Sequence, residues 1–597
     1  MIVPMRKATI VMLASDQDAV LRTLQSLGVL HVRLVEKPAT HTAADVAEQM
    51  RKSITAHTIL SDITQASDAV PAANDARDIV AQTLALHDQR AALRERIAAV
   101  TTTIEDLRPW GNFDPASIAA LFDRGIYVVR CKLPLASTPV VPPTCIIQEI
   151  YRDNVVRGCV LISRQPLELD FPVERMPAMS LVEYEHERQR LHTELASIDA
   201  RLAALARGSA AITMLLQSQD DDYALATARD QLSGVAAFVY LQGYCPVTRV
   251  NDLEDAARQH GWGLILNDPE PGELAPTLLT NPRWLQPIET VFEFIGTFPG
   301  YDERDISGVF FLFFALFYAM LIGDTGYGFL YLLLLTLAHW RLGAKIPRRT
   351  LQLLYTLNIG VIVWGVLTGS YFGITLPATS VLSRVAIINT SDHAFMMNVC
   401  FVIAAIHLTI AHAWNALRML NSLRCLAEIG RLMITWGAFF LVRTLILGVP
   451  FPAVMQWIGA GGVLLTLVFS GALTNVADLF QFPFSVVNFF GDTASYLRLF
   501  AVGFASVALA RAFNTLASNI GFKGIVAGAL AVFILIAGHC LNLVLGPLSV
   551  LVHGLRLNLL EFSSHLGQEW YGSRYNPLRR RAPVADNGGG LEGPQLS

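Results

Sequence analysis

The chain has 597 residues, of which 53% are hydrophobic and only 16% charged, a composition too apolar for an ordinary soluble enzyme and suited to insertion in a bilayer. Its net charge of −4 excludes a strongly basic nucleic-acid-binding domain. The seven cysteines (Cys131, Cys145, Cys159, Cys245, Cys400, Cys425 and Cys540) form no CxxC pair and no His/Cys spacing suited to zinc, so neither a disulfide framework nor a metal site is expected.

In chain order, "MIVPMRKATIVML" has an apolar run too brief for a secretory signal and reads as a buried strand. Residues 7–36 read as strand, helix, strand, with Val20, Leu21, Leu24 and Leu27 at helical spacing and Gly28 as the stop. A second such unit occupies 235–268. Between them, Leu86, Leu93, Ile97, Val100, Ile104 and Leu107 follow one heptad seam, and Leu191, Leu195, Ile198, Leu202, Leu205 and Ile212 follow another. Each stretch, at about 50 residues, would extend roughly 75 Å as helix. Two ordinary amphipathic helices are one reading; an antiparallel stalk better suits the β-branched, turn-rich segment between them. The expected cytoplasmic domain, 1–300, thus has a near lobe (1–45 and 235–285), a helical stalk (46–109 and 178–234) and a far lobe (110–177). No convergent polar cleft and no GxxxxGK[ST] phosphate loop occur in it, so no cofactor and no nucleotide hydrolysis by the chain itself are expected.

Apolar runs long enough to span a bilayer occur near 306–322, 326–341, 351–374, 394–415, 432–449, 453–474, 482–517 and 524–566. The fold expected is therefore an α+β soluble domain, its two α/β lobes joined by a long helical hairpin, followed by an all-α membrane domain (301–570) of about eight helices and a tail, 571–597. The last two runs exceed what a hydrocarbon core of about 30 Å requires, which predicts tilt or projection beyond the lipid. Basic residues gather in the even-numbered loops: Arg341, Lys345, Arg348 and Arg349; then Arg418, Arg424 and Arg431; then Arg579, Arg580 and Arg581. The positive-inside rule makes those loops, both termini and the soluble domain cytoplasmic.

An arginine at a helix centre costs about 2.5–3.5 kcal/mol on insertion scales, so intramembrane charge points to function. Arg498 lies in "SYLRLFAVGFA", and the positions three, four and seven residues away are Gly491, Ala494, Ser495, Ala501, Val502 and Ala505. Small side chains at this spacing let another helix slide close past a fixed charge. Snorkelling, or an ion pair with Asp492 or another helix, is the structural alternative. In "SVLVHGLRLNLLEFSSH", Ser549, His553, Arg556 and Ser563 share one face at α-helical spacing and Glu561 lies near the end, a stripe that lines a water path or anchors the helix at the interface. Asp324, His407, His412, Asp478, Asp492, His539 and Asn542 are singly core or end-of-helix residues and together candidates for aqueous half-channels.

The segments "SYLRLFAVGFASVALA", "FFALFYAMLIGDTGYG", "PGYDERDISG", "RPWGNFDP" and "VLVHGLRLNLLEF" resemble the signatures of the stator subunit of rotary V/A-type ATPases, subunit a in eukaryotes and subunit I in bacteria and archaea. They occur in the family's order along nearly the whole chain. The resemblance implies eight membrane helices, the last two tilted against a rotor ring of proteolipid subunits (c, K or L type), and a two-lobed cytoplasmic domain. That domain is expected to bind the peripheral-stalk subunits E and G and the central-stalk subunit of C/d type. By the same resemblance Arg498 is the essential stator arginine and Arg556 assists it in proton or sodium translocation.

Where eukaryotic members are expected to carry Glu, His and Glu, this chain has Phe484, Ser506 and Gly546, so its half-channel lining must differ. Short loops favour a prokaryotic plasma-membrane form, and "NTS" at 389–391 reads as a chance sequon. A secondary transporter holding an anion at Arg498 would show inverted repeats; a membrane scaffold would leave Arg498 and its small-residue face without a purpose.

Overall fold

The computed structural model describes residues 1–33, 41–63, 75–135, 142–166, 173–235, 237–343, 346–375, 380, 384–388, 390, 392–471, 473, 475–521 and 524–580. Lys345, Arg581, the tail beyond 580 and two residues of the sequon lie outside these. The chain divides into two compact units, one built from Met1–Val35 with Gln231–Arg580 and the other from Glu36–Asp230.

In the first unit Met5–Leu13 is a central strand that pairs antiparallel with Phe238–Pro246 on one side and Gly263–Asn267 on the other. Its Met5, Ala8, Ile10 and Met12 are buried, the period-2 alternation of a sheet with one covered face. Helices Gln17–Leu27 and Val250–His260 accompany the sheet, each stopped by a glycine in the left-handed conformation, Gly28 and Gly261.

This lobe and the apolar helices belong to one compact unit, with the expected boundary near residue 300 lying inside it. "PGYDERDISG" is the fastening between them. Tyr301 Oη accepts the Met5 N–H at 3.0 Å, and Glu303 accepts the N–H groups of Gly300 (2.6 Å) and Trp570 (3.1 Å). Residues 571–580, the start of the expected tail, are woven into the same junction. Gly572 bridges to Phe298 at a point where a Cβ would stand 2.0 Å from the Pro299 carbonyl oxygen, and the Leu578 N–H donates to the Leu30 carbonyl at 2.8 Å. The first and last apolar helices therefore leave the helical body on one face. Arg349 reaches Glu289 there at 2.9 Å.

Helices stand at each of the eight expected places; among the described residues five are individually long and apolar enough to span: Arg348–Thr368, His393–Arg418, Arg424–Leu447, Val476–Ile520 and Ile525–Leu566. Ser307–Ile322 and Thr325–Leu342 qualify only as a pair bent by 114°, and Ala453–Phe469 has 17 residues. Among the described residues, length and composition thus support five spans, or six with the bent pair, of the eight expected. Ser307–Ile322 is apolar all round and lies in the core: Phe310, Phe317 and Leu321 meet Leu357, Val361, Ala404, Tyr496, Leu557 and Phe562, as expected of a helix with no polar face. The two longest helical runs are only 17% buried and expose Phe480, Phe484, Phe504 and Phe533, a surface for lipid or a partner.

In the second unit each expected stalk helix is broken in two, His41–Ser61 with Ala76–Leu107 and Leu181–Ala206 with Ser209–Asp230. The second break falls at Gly208, where a Cβ would stand 2.7 Å from Ile79 Cδ1. Ion pairs Arg90–Asp199 (2.8 Å) and Arg96–Glu187 (2.7 Å) run in opposite chain directions, so these helices are antiparallel, with Leu86, Ile198, Leu202 and Ile212 between them. "RPWGNFDP" turns the chain out of the helix: Gly111 takes φ 79°, and Asp114 caps the helix Pro115–Asp123 by accepting the Ala116 and Ser117 N–H groups. Beyond it lies a four-stranded antiparallel sheet of Cys145–Arg152, Val156–Ser163, Tyr127–Pro134 and Glu174–Arg175 in that spatial order.

The junction carries a titratable contact. His31 Nδ1 accepts the Asn576 N–H at 3.0 Å, and burial lowers the His31 pKa from 6.5 to about 4. An undocked His31 protonates near 6.5, so docking is at full strength above that pH and weakens as the pH falls toward 4. Hydrogen exchange at Asn576 and Leu578 is expected to lose protection between pH 7 and about 5, beyond the change in intrinsic rate; unchanged protection would contradict this.

Candidate functional site

Residues "SYLRL" join two helices, Val476–Ser495 and Leu497–Ile520. Tyr496 and Leu499 point inward and are 0% and 1% exposed, which leaves Arg498 on the outer side with its guanidinium a quarter exposed. Arg498 Nη2 donates to Glu561 Oε1 at 2.9 Å, and Arg556 Nε stands 3.6 Å from the same oxygen. Glu561 is buried, and its Oε2 has no hydrogen-bond partner among the described residues. Of the two ion-pair alternatives, Asp492 or a group on another helix, the contact made is the one to another helix.

The last helix explains why Glu561 was underrated. Residues five apart stand about 140° round an α-helix, which sets Arg556 and Glu561 on different faces. Val550–Gly554 and Leu557–Phe562 instead wind as π-helix, whose i→i+5 spacing brings residues five apart back into register. Ser563 Oγ donates to the Asn558 carbonyl, also five residues back, at 2.8 Å. Ser549 bonds only the Leu545 carbonyl of its own helix, at 2.7 Å, and the α-helical stripe expected through Ser549, His553, Arg556 and Ser563 is broken by the winding.

A second polar group lies nearby. Asp492 Oδ2 meets His565 Nε2 at 3.0 Å, His565 Nδ1 meets His412 Nε2 at 2.9 Å, and His412 Nδ1 meets Glu428 Oε2 at 2.9 Å. Asn415 donates to the His565 carbonyl at 3.0 Å and accepts from Arg304. Of these, sequence reading selected Asp492 and His412. Glu428 was missed because the span was begun at 432, after Arg431, although a lone carboxylate in an apolar helix is a signal.

The remaining candidates lie elsewhere. Asp324 is buried, caps Thr325–Leu342 at the bend, and accepts from the N–H groups of Gly326, Tyr327, Phe372 and Gly373 and from Ser370 Oγ at 2.7–3.3 Å. The glycines of "GDTGYG" make room: a Cβ on Gly326 would stand 2.4 Å from the Phe372 ring. Asp324 is thus a structural bolt. His539 bridges Tyr327 Oη (2.6 Å) and Asn514 Oδ1 (3.1 Å), and Ser506 and Asn542 exchange two bonds of 2.9 Å. His407 is sandwiched between Phe313 and Phe562, with ring centroids 3.8 and 4.1 Å away, and bonds Tyr496 Oη at 2.8 Å. Of the small-residue stripe, Gly491, Ala501 and Ala505 are exposed; Ser495 is half-buried, and Ala494 packs against the cluster of Phe439 and Val442.

Removing one member of a buried ion pair strands the other. Glu561→Ala is expected to destabilise the detergent-purified chain by on the order of 3 kcal/mol, with a double-mutant cycle against Arg498→Ala giving coupling of at least about 1 kcal/mol; additive effects would mean the contact carries no energy. Asp324→Ala strands five donors and is expected to cost about 3 kcal/mol or more, read from the same unfolding curves.

No family model matches the chain. Curated proteins do: it is 32% identical to V-type ATP synthase subunit I 1 of Treponema pallidum over 97% of this chain and all of that one. It is 27% identical to V-type ATP synthase subunit I of Borreliella burgdorferi over 97% and 100%. With A-type ATP synthase subunit I of Methanocaldococcus jannaschii it shares 25% over 68% of this chain and 64% of that one. A crystal structure of the cytoplasmic N-terminal domain of a V-ATPase subunit I aligns over 44% of this chain and all of that one with a TM-score of 0.22 and 17% identity, a likeness that carries no argument. The identity to the Treponema protein along the full length of both chains establishes the kinship: this chain belongs to the V-type ATP synthase subunit I family.

Proposed function

We propose that the chain is the membrane stator subunit of a rotary V/A-type ATPase, and that Arg498 is the fixed charge past which a ring of rotor proteolipids turns. The observation that carries this reading is Arg498 held at 2.9 Å by the buried Glu561, on a helix whose exposed flank is Gly491, Ala501 and Ala505. The charge is anchored on the inside, and the surface beside it is smooth enough for a helix to pass. Each rotor subunit brings a membrane carboxyl that is neutral in lipid. An opposite charge within about 4–6 Å favours its ionised form, so the ion leaves into one half-channel beside Arg498. Reloading from the other half-channel lets the carboxyl return to lipid. The guanidinium stays protonated throughout and blocks a direct leak.

Arg556 meets the same Glu561 oxygen and is more exposed, which suits an assisting charge. His553, Ser495, Ser549 and Ser563 remain candidates for the half-channel walls, with Ser506 and Asn542 a further polar pair between the long helices. The unit Glu36–Asp230 is assigned to the peripheral stalks and the central-stalk subunit, and the helical body to a prokaryotic plasma membrane with the soluble parts cytoplasmic. Moving one charge against 100 mV takes about 2.3 kcal/mol, so coupling to ATP needs rotation over several ions.

ATP-driven pumping by complete complexes in vesicles tests the reading. Arg498→Ala is expected to abolish pumping while the rotor ring still co-purifies, and Arg556→Ala to reduce it partially. Pumping by Arg498→Ala at the wild-type rate would falsify it.

A further inference from the structure

Between the sheet of the first lobe and the first apolar helix, residues 282–295 belong to no span, yet they lie against the helical body. Ile288, Val291 and Phe292 are buried in one cluster with Phe310, Leu353 and Leu357, and the Phe292 ring stands 5.1 Å from that of Phe310. Asn281 donates to Glu289 at 3.1 Å and to Ser307 Oγ at 3.3 Å, while Arg349 reaches Glu289 at 2.9 Å. The segment is thereby fastened to the first turns of Ser307–Ile322 and Arg348–Thr368, on the face where the soluble lobe joins the helices. Its outer side is apolar and open: Trp284 is 67% exposed and Phe294 72%. From this placement we infer that residues 282–295 are a membrane pad, seated in the headgroup layer and binding anionic phospholipid through Trp284, Phe294 and the arginines around them. The inference rests on the helical body spanning a bilayer and is independent of what Arg498 does.

Position decides the occupant. Arg348–Thr368, at 21 residues, is about as long as a hydrocarbon core is thick, so its first turn stands where headgroups begin. A segment bonded to that turn through Arg349 shares the same depth. Trp340 repeats the pattern on the neighbouring helix, where His339 meets Tyr355 of Arg348–Thr368 at 3.2 Å. Trp340 is 77% exposed, with the Arg341 guanidinium 5.5 Å from the centre of its ring. Tryptophan favours this layer because its ring is apolar and its N–H still finds a polar partner. A soluble protein partner would have to displace lipid from the rim to reach these side chains.

Charge gives the headgroup its sign. Both carboxylates of the segment are already paired, Glu289 with Arg349 and Glu293 with Arg574, each at 2.9 Å. Arg283, Arg341 and Arg348 are exposed and make no ion pair among the described residues. A guanidinium presents forked N–H donors that match the two free oxygens of a phosphodiester. A zwitterionic lipid carries its own ammonium beside that phosphate, so the net attraction is to anionic headgroups.

The full chain in detergent micelles, titrated with brominated phosphatidylglycerol, tests the pad. Subtracting the signal of Trp284→Phe isolates the Trp284 fluorescence, which is expected to be quenched at a lower mole fraction of brominated phosphatidylglycerol than of brominated phosphatidylcholine. Arg283→Gln and Arg348→Gln are each expected to raise the half-quenching fraction about fivefold, the equivalent of about 1 kcal/mol per basic residue at an anionic surface. Excess glycerol phosphate is expected to leave the quenching unchanged; displacement would mean a site for free phosphate and overturn the inference. Equal quenching by the two lipids, or no quenching while acrylamide reaches Trp284, overturns it as well. So does a Trp284 shielded from both lipid and acrylamide in complete complexes in brominated vesicles, the mark of a covering protein. None of these readouts involves pumping, so their failure leaves the stator reading to its own Arg498→Ala test.

Discussion

A single buried carboxylate, Glu561, holds the outer face of the helical body together. Left alone in a low-dielectric interior, such a group costs several kcal/mol. It is stabilised by Arg498 from one long helix and Arg556 from its own, so the two longest helical runs among the described residues are pinned to each other there as well as through Asp492 and His565. Tyr496 and Leu499 lock the backbone on either side of Arg498 into the core. The guanidinium is thereby fixed in position without being buried, the condition for a charge that must act on something passing outside.

Polar residues in an apolar body separate by how completely they are satisfied. Asp324 accepts five hydrogen bonds at a helix bend. Glu561 keeps one oxygen unpartnered among the described residues, and the row from Asp492 to Glu428 is partly exposed at Asp492 alone. Unmet capacity in a buried setting is costly, and Glu561 bears that cost at the one point where two arginines meet its other oxygen.

Much was legible from local pattern. Period-2 alternation marked Met5–Leu13, Gly28 marked a helix stop, and the heptad leucines marked the antiparallel pairing later seen in Arg90–Asp199 and Arg96–Glu187. Apolar runs marked each helix of the body, and Arg498 stood out as an isolated charge within one of them. Hydropathy registers apolar length and is blind to the 114° bend between Ser307–Ile322 and Thr325–Leu342.

What the sequence by itself determined is the type of each element and the oddity of Arg498, since both follow from the composition of a dozen neighbouring residues. Tertiary structure alone decided which charge Arg498 meets, because Glu561 is 63 positions away and reaches it through a π-helical winding that no α-helical periodicity anticipates. The same holds for the Asp492, His565, His412 and Glu428 row and for the return of residues 571–580 to the first lobe. Those contacts join segments far apart in the chain, and only packing of the helices against one another brings them within hydrogen-bonding distance.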